Sequence, residues 1–110
     1  MPTYATRTTH RETGRSLVFT ADTGYTAALS SFVRGADVLL CEAAWTGCDP
    51  HDRHLTGGEA AQIAGEAGVG LLLLTHLVEW DTRADTIAAA QAGPVPVVVA
   101  EVGETYPVGS

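Results

Sequence analysis

Three acidic or imidazole side chains of this 110-residue chain stand at the ends of apolar segments, where reactive groups are often found, and a fourth precedes a helix. Asp22 follows the apolar run Leu-Val-Phe, Glu42 closes Val-Leu-Leu-Cys, and His76 follows Leu-Leu-Leu-Leu-Thr. His54 lies just before a helix start. Carboxylates and imidazoles bind zinc-like cations, and together they also suit general acid–base catalysis. The four residues therefore predict a site for metal binding, for proton transfer, or for both.

Each of the four also has a structural interpretation. An aspartate in Thr-Ala-Asp-Thr-Gly is often an Asx-turn or helix-cap residue. A single histidine after an apolar strand, such as His76, is more often structural than a ligand. Glu42 is consistent with a solvated strand end, and His54, beside Arg53, with a surface residue. The functional interpretation therefore depends on whether the fold brings the four positions to one edge.

The hydrophobic periodicity predicts strands alternating with helices. Strands are predicted at residues 4–10, 16–20, 37–42, 71–75, 95–102 and 105–108, with turns at 13–14 and 103–104 that make an opening and a closing hairpin. Helices are predicted after Gly24 up to Gly35, from a capping box at 56–59 to Ala67, and from about residue 81 to Ala92, with Ala84, Ile87 and Ala88 facing inward. The continuous apolar runs at 37–42 and 71–75 predict strands covered on both faces. The class is α/β, in one compact unit over residues 1–110.

Composition narrows the classes of partner. The net charge is −7 with only six basic residues, which favours a small-molecule substrate over nucleic acid. No run of about 18 apolar residues and no basic-then-apolar leader is present, so we expect no membrane span and a cytoplasmic protein. Cys41 and Cys48 are expected to be reduced thiols. Cys48, His51 and His54 do not make a zinc knuckle, because four ligands at paired short spacings are missing.

Four motifs in a fixed order give the chain a resemblance to a known family. They are Phe-Thr-Ala-Asp-Thr-Gly, Ala-Asp-Val-Leu-Leu-Cys-Glu-Ala, His-Leu-Thr-Gly-Gly-Glu-Ala and Leu-Leu-Leu-Thr-His-Leu. The series resembles the C-terminal half of a metallo-β-lactamase-fold hydrolase, and most closely the subgroup of ribonuclease Z, which processes the 3′ end of tRNA. The resemblance spans residues 4–106 and implies half of an αββα sandwich, with a mixed sheet and about three helices.

The resemblance also implies a role for each candidate residue. Asp22 would bridge two zinc ions, and His76 would be the last histidine ligand of one of them. A bridging carboxylate partly neutralises two dications and fixes their separation. His54 and Glu42 match a catalytic pair in which the histidine protonates the leaving oxygen and the glutamate orients it. Ala44 stands where the family commonly has threonine.

The sequence departs from the family pattern in one respect that bears on activity. The family's metal-binding cluster, His-x-His-x-Asp-His, and one further histidine ligand have no counterpart among the four histidines of this chain. Asp22 and His76 are too few for two ions, since each ion needs about three protein ligands plus water. We therefore expect the chain to begin partway through the family's domain and to be inactive alone.

Three functional hypotheses follow. In the first, the chain is part of a metal-dependent hydrolase of an ester, thioester or phosphodiester, and a separate polypeptide supplies the missing N-terminal half. In the second, it is a non-catalytic, truncated module that self-associates through the face left open. In the third, it is an unrelated small α/β binding domain in which Asp22 and His76 are turn residues. The first hypothesis predicts an exposed apolar face.

Overall fold

The alternation of apolar strands and helical segments produces a five-stranded mixed sheet with three helices in the part of the chain that the structure describes. The computed structural model describes residues 5–20, 27–42, 57–75, 83–101 and 103–108. The elements are β1 (Thr6–Thr9), β2 (Ser16–Phe19), α1 (Ala27–Val33), β3 (Val38–Glu42), α2 (Gly57–Ala67), β4 (Leu71–Thr75), α3 (Arg83–Gln91) and β5 (Val97–Val99). The predicted α/β class, with a mixed sheet and three helices, is confirmed.

The strands lie side by side in the order in which they occur along the chain. β1 pairs antiparallel with β2 through a hairpin, and Thr6 lies opposite Phe19. β2, β3, β4 and β5 are mutually parallel, with Leu17 beside Val38 and Val38 beside Leu71. Each parallel step is a β–α–β unit, and such crossovers are almost always right-handed. Three right-handed crossovers in the same direction place all three helices on the same face of the sheet.

The hydrophobic core lies between that face and the helices. On the sheet side it contains Val18, Leu39, Cys41, Leu72 and Leu74, which alternate with residues that point the other way. The helices contribute buried residues from α1 (Leu29, Val33), α2 (Ala60, Ile63, Ala64, Ala67) and α3 (Ala90). Most residues of the helical side are small, which lets α2 lie close to the sheet.

The opposite face of the sheet is also apolar. We call it the second face, and by strand alternation and register it carries Leu17, Phe19, Val38, Leu40, Leu71, Leu73 and Val98. Phe19 is 40% exposed and Val98 39% exposed, although Val38 and Leu73 are buried. On the central strands β3 and β4, Val38 and Leu73 of this face are therefore buried as the sequence predicts, even though the three helices occupy the other face.

The N-terminal ends of the parallel strands are joined by Asp37, which the sequence pattern places inside a strand. The carboxylate Oδ2 of Asp37 accepts a hydrogen bond of 2.8 Å from the Ser16 backbone N–H, and the Asp37 N–H donates to the Ser16 carbonyl. The carbonyl of Asp37 accepts from the N–H groups of Gly70 and Leu71. One residue thus fixes the relative register of β2, β3 and β4.

Two local predictions in the C-terminal third are wrong. Ala84 and Ala88 are exposed and Ile87 is only half-buried, whereas Ala90 is fully buried. The described residue of α3 that is fully buried is Ala90, near its C-terminal end, so the stripe of alanines did not mark the buried side. In addition, residues 105–108 form no strand.

The turn predicted before that segment is nevertheless present. Gly103 has φ +85°, and the Glu104 N–H donates to the Glu101 carbonyl. The Tyr106 hydroxyl accepts from the Glu101 N–H and donates to the Val99 carbonyl. A side chain therefore satisfies backbone groups that a second strand would have paired, and Pro107 has no N–H for a ladder.

Arg7 ties the hairpin to the end of α1, and its substitution should measurably lower stability. One nitrogen, Nη1, donates to the carbonyls of Phe32 (3.0 Å) and Arg34 (3.1 Å), and Nη2 donates to Ser16 Oγ (3.2 Å). We expect Arg7→Gln to lower the free energy of unfolding by about 1 kcal/mol, because the last helix carbonyls lose a charged donor. Urea denaturation measures the change.

Arg34→Gln is the matched control, since it removes the same charge from an exposed side chain and leaves the Arg34 carbonyl in place. Its effect should stay within about 0.5 kcal/mol. Arg7→Lys keeps the charge without the planar guanidinium group, so its loss of unfolding free energy should lie between the losses of Arg7→Gln and Arg34→Gln. Equal losses in Arg7→Gln and Arg34→Gln would contradict the assigned role.

Gly93 allows the close approach of the α3–β5 turn to α2. A Cβ built on Gly93 would lie 2.8 Å from the Cβ of Ala61 and 3.4 Å from the Ala90 carbonyl oxygen. We expect Gly93→Ala to destabilise the fold by about 1–3 kcal/mol through overpacking. The combination with Ala61→Gly should be less destabilised than the sum of the two single variants, because the clash is removed. Additive losses in a thermal denaturation cycle would refute this explanation.

Candidate active site

The C-terminal ends of three parallel strands meet at one edge of the sheet. Glu42, the last residue of β3, lies beside Thr75, the last residue of β4. On the other side of β3, Phe19 of β2 lies beside Leu40, and the Thr20 N–H donates to the Leu40 carbonyl at 3.1 Å. The segments that follow β2 and β4 therefore leave the sheet on either side of the β3 end.

Thr20 anchors the end of β2 at this edge. It is fully buried, although it is polar, and its backbone continues the ladder to β3 beyond the last residue of β2. Sequence reasoning treats Thr20 only as the last residue of a strand. The sequence signal for this anchoring role is a threonine that directly follows a predicted strand, at a position where a hydroxyl is usually solvated. The anchor fixes the point from which the chain enters the segment that carries Asp22.

One of the four predicted site residues lies in the described part of the chain. Glu42 is located by its backbone at the end of β3. Asp22, His54 and His76 lie outside the described residues. His76 directly follows Thr75, which pairs with Glu42, and Asp22 comes two residues after Thr20. The structure thus brings together the strand ends that carry the candidates, and the roles of the four side chains stay predictions.

The start of α2 lies between β3 and β4 in the chain. The helix begins at Gly57, three residues after His54, and its first turn contains Glu59. Because α2 connects two parallel strands, its N-terminal end belongs to the edge where β3 ends. The positive end of a helix dipole favours negative charge nearby. The predicted helix start is confirmed within one residue, and Thr56 of the predicted capping box lies outside the described residues.

The described residues by themselves form no metal site. Within ranges 5–20, 27–42, 57–75, 83–101 and 103–108, no three histidine, cysteine, aspartate or glutamate side chains come together in a cluster that would hold a metal ion. Over the same residues no helix has both the length and the apolar character needed to cross a bilayer. The predicted ligands Asp22 and His76, whose oxygen and nitrogen donors suit zinc-like ions, lie outside these ranges.

Comparison with known proteins places this fold and edge in one family. Residues 3–77 match the family model described as the beta-lactamase superfamily domain. An uncharacterized protein of Mycobacterium tuberculosis is 47% identical over 100 residues, which are 86% of this chain and 36% of that protein. Ribonuclease Z of Prochlorococcus marinus is 44% identical over 68 residues, or 58% of this chain and 21% of the enzyme.

A solved structure agrees with the sequence comparisons. The metallo-beta-lactamase fold protein YhfI from Bacillus subtilis superposes with a TM-score of 0.75 at 31% identity, covering 82% of this chain and 39% of YhfI. The chain belongs to the beta-lactamase superfamily and has the metallo-β-lactamase fold, as the sequence motifs predicted. It is thus a member of a family of metal-dependent hydrolases. It spans little more than a third of the length of the mycobacterial protein and of YhfI.

Proposed function

We propose that this chain is one part of a metal-dependent hydrolase and that it supplies four groups of a composite active site. Asp22 would hold both metal ions and His76 would be a ligand of one of them. Glu42 and His54 form the acid–base pair. The observation that carries the proposal is the convergence of the ends of β2, β3 and β4 at one edge of the sheet.

The geometry of that edge supports the division of roles. Glu42 is held at the end of a central strand, paired with Thr75, so its backbone is fixed by the ladder. Asp22 comes three residues after the last residue of β2, and His76 directly follows the last residue of β4, so both are on short tethers in the sequence. Ligands on short tethers keep their positions when a metal ion is bound or lost.

Asp22 and His76 are of the right chemical types to bind zinc, but two ligands are too few for the site. One carboxylate and one imidazole are suitable ligands, and the remaining ligands would come from a His-rich segment with the family's His-x-His-x-Asp-His pattern. When bound, such ions lower the pKa of water and generate a nucleophile at neutral pH. In this chain, Asp22 and His76 hold and space the ions, and His54, oriented by Glu42, donates the proton to the leaving oxygen.

The second face supports the composite nature of the site. Its apolar residues run without interruption across β2, β3, β4 and β5, and both edge residues of one row, Phe19 and Val98, are about 40% exposed. An apolar patch of this continuity is typical of an interface. The occupant we propose is the His-rich half, because related proteins are more than twice the length of the matched region.

The substrate we propose is a small molecule with an ester, thioester or phosphodiester bond. Thirteen acidic residues against six basic ones give a surface that repels an extended polyanion unless another segment supplies positive charge. Water, activated at the metals, would attack the ester carbon or phosphorus, and His54 would protonate the departing oxygen or sulfur. The products are an acid and an alcohol or thiol.

Metal content and activity should appear only when the two parts are present together. We expect the isolated chain to retain less than one zinc ion and to leave bis(p-nitrophenyl) phosphate intact. Co-expression with the part of the mycobacterial relative that lies outside the matched 100 residues should restore zinc binding and hydrolysis if that part supplies the His-rich half. In that complex Asp22→Asn and His76→Gln should lower zinc content, whereas Glu42→Gln and His54→Asn should keep zinc and lower kcat by about 100-fold or more.

Glu104→Gln is the control for these substitutions, because it makes the same carboxylate-to-amide change at an exposed position after β5. Zinc analysis by mass spectrometry and initial rates give the two readouts. Full zinc occupancy and hydrolysis by the chain alone would overturn the composite site. Unchanged zinc content in both Asp22→Asn and His76→Gln would overturn the ligand assignment.

The two phenylalanines of the chain provide a matched test of the second face. Phe19 lies on that face and is 40% exposed, whereas Phe32 lies on α1, on the helical side, and is 42% exposed. We expect Phe19→Ser to weaken capture of the His-rich segment by tenfold or more, because an aromatic anchor is lost. Phe32→Ser should leave capture within about twofold.

Light scattering on the isolated chain tests the alternative occupant. A stable symmetric dimer that Phe19→Ser dissociates, together with failure to capture the His-rich segment, would show that the second face serves a second copy instead. A non-catalytic, self-associating module would then replace the hydrolase proposal. Equal effects of Phe19→Ser and Phe32→Ser would exclude the second face as an interface of either kind.

A further inference from the structure

β5 is an edge strand, so only one side of its backbone is paired with a neighbouring strand. The Ala100 N–H donates to the Leu74 carbonyl of β4 at 2.8 Å. Because successive residues of a strand direct their backbone groups to opposite sides, Ala100 faces β4, whereas Val97, Val99 and Glu101 face away from the sheet. We call the backbone groups of these three residues the outer edge of β5.

The outer edge is open at its start. Among the described residues, no hydrogen bond is made by the N–H or the carbonyl of Val97 or by the N–H of Val99. β5 consists of valines alone and carries no charge, whereas β1, at the opposite edge of the sheet, is exposed throughout and contains Arg7. Charged residues discourage an edge strand from pairing with another chain, and apolar residues do not. The outer edge of β5 therefore needs some other protection.

The Tyr106 hydroxyl closes the end of the outer edge. It accepts a hydrogen bond of 3.0 Å from the Glu101 N–H and donates one of 3.3 Å to the Val99 carbonyl. An added strand would have to supply an acceptor and a donor at the same place. A phenol hydroxyl is both, so one oxygen atom replaces the two partners. The turn at Gly103, with φ +85°, brings Tyr106 back beside β5.

We propose that Tyr106 is a cap that closes the outer edge of β5 against pairing with β5 of a second copy of this chain. In an antiparallel pair of two β5 strands related by a twofold axis, Val97 of each strand faces Val99 of the other and the two residues exchange both N–H···O bonds. The Val99 carbonyl is one of the groups required. Tyr106 already occupies it, so the cap and the second copy compete for the same atom.

The side chain of Val98 favours a second copy as the competitor. Val98 lies on the second face and is 39% exposed. In the twofold pair Val98 faces Val98 of the other copy without hydrogen bonds between them, which is the arrangement that brings side chains closest together. The outer edge is therefore complementary to itself both in its backbone groups and in its apolar side chain.

Self-association of the 110-residue chain tests the cap, with Phe19→Ser present in every sample to weaken any association through the second face. We expect Tyr106→Phe to lower the dimer dissociation constant, measured by sedimentation velocity, by about tenfold or more, because the hydrogen bonds of the cap no longer compete. Thr105→Val is the matched control, since it removes a hydroxyl from the adjacent, exposed residue. Its dissociation constant should stay within about twofold.

Amide hydrogen exchange identifies the strand that pairs. In the Tyr106→Phe dimer the Val97 and Val99 amides should become protected, whereas in the capped chain they should exchange fast and the Ala100 amide slowly. Val99→Pro, added to Tyr106→Phe, removes an outward N–H without breaking the ladder to β4 and should restore the monomer.

Unfolding curves show whether each variant retains the fold, and the exchange measurement needs no proline variant. Equal dissociation constants for Tyr106→Phe and Thr105→Val would overturn the cap. A Tyr106→Phe dimer in which Val97 and Val99 stay unprotected, or one that a folded Val99→Pro variant still forms, would overturn the assignment to the outer edge of β5.

Discussion

The in-order, parallel arrangement of β2 to β5 is the constraint on which the rest of the structure depends. Each strand is added to the same side of the growing sheet, and each crossover is right-handed, so the three helices share one face. The same arrangement sends the C-terminal ends of all four strands to one edge. Asp37 sets the register on which this depends, since its backbone and carboxylate join the starts of β2, β3 and β4.

Among the described residues the same constraint leaves the second face without helices, although its sequence is as apolar as that of the covered face. Leu71 to Leu74 are four leucines in a row, so alternation sends two of them to each face of the sheet. A strand exposed to water on one face usually alternates apolar and polar residues. The absence of that alternation in β3 and β4 indicates a sheet that is completed by a second layer, which agrees with the αββα sandwich that the resemblance implies.

Sequence patterns predicted the parts of the fold that depend on local information. The strands at 37–42 and 71–75, the helix ending at Gly35 and the helix ending at Ala67 follow from apolar runs and glycine stops, and Gly35 and Gly68 both have positive φ. The buried side of α3 was predicted wrongly because alanines carry little periodic signal in a helix whose fully buried described residue, Ala90, lies near its C-terminal end. The closing hairpin was predicted wrongly because a tyrosine hydroxyl satisfies the backbone groups there.

The sequence predicts where the candidate site lies. It does not predict the full set of residues that form the site. Strand ends in an α/β sheet mark the edge where ligands bind, so the apolar runs that precede Asp22, Glu42 and His76 are enough to make these residues candidates. No pattern within the chain indicates which other ligands would join them, because we propose that those ligands come from a segment outside this chain.

The distribution of charge along the sheet follows from the polarity of its β–α–β units. Helices that follow parallel strands begin at the C-terminal edge and end at the opposite one, so their positive ends lie near Glu42 and Glu59 and their negative ends near the hairpin. Arg7, bonded to the last carbonyls of α1, shows the complement directly. Glu59 in the first turn of α2 and Arg7 at the end of α1 are thus each placed where the helix dipole stabilises their charge.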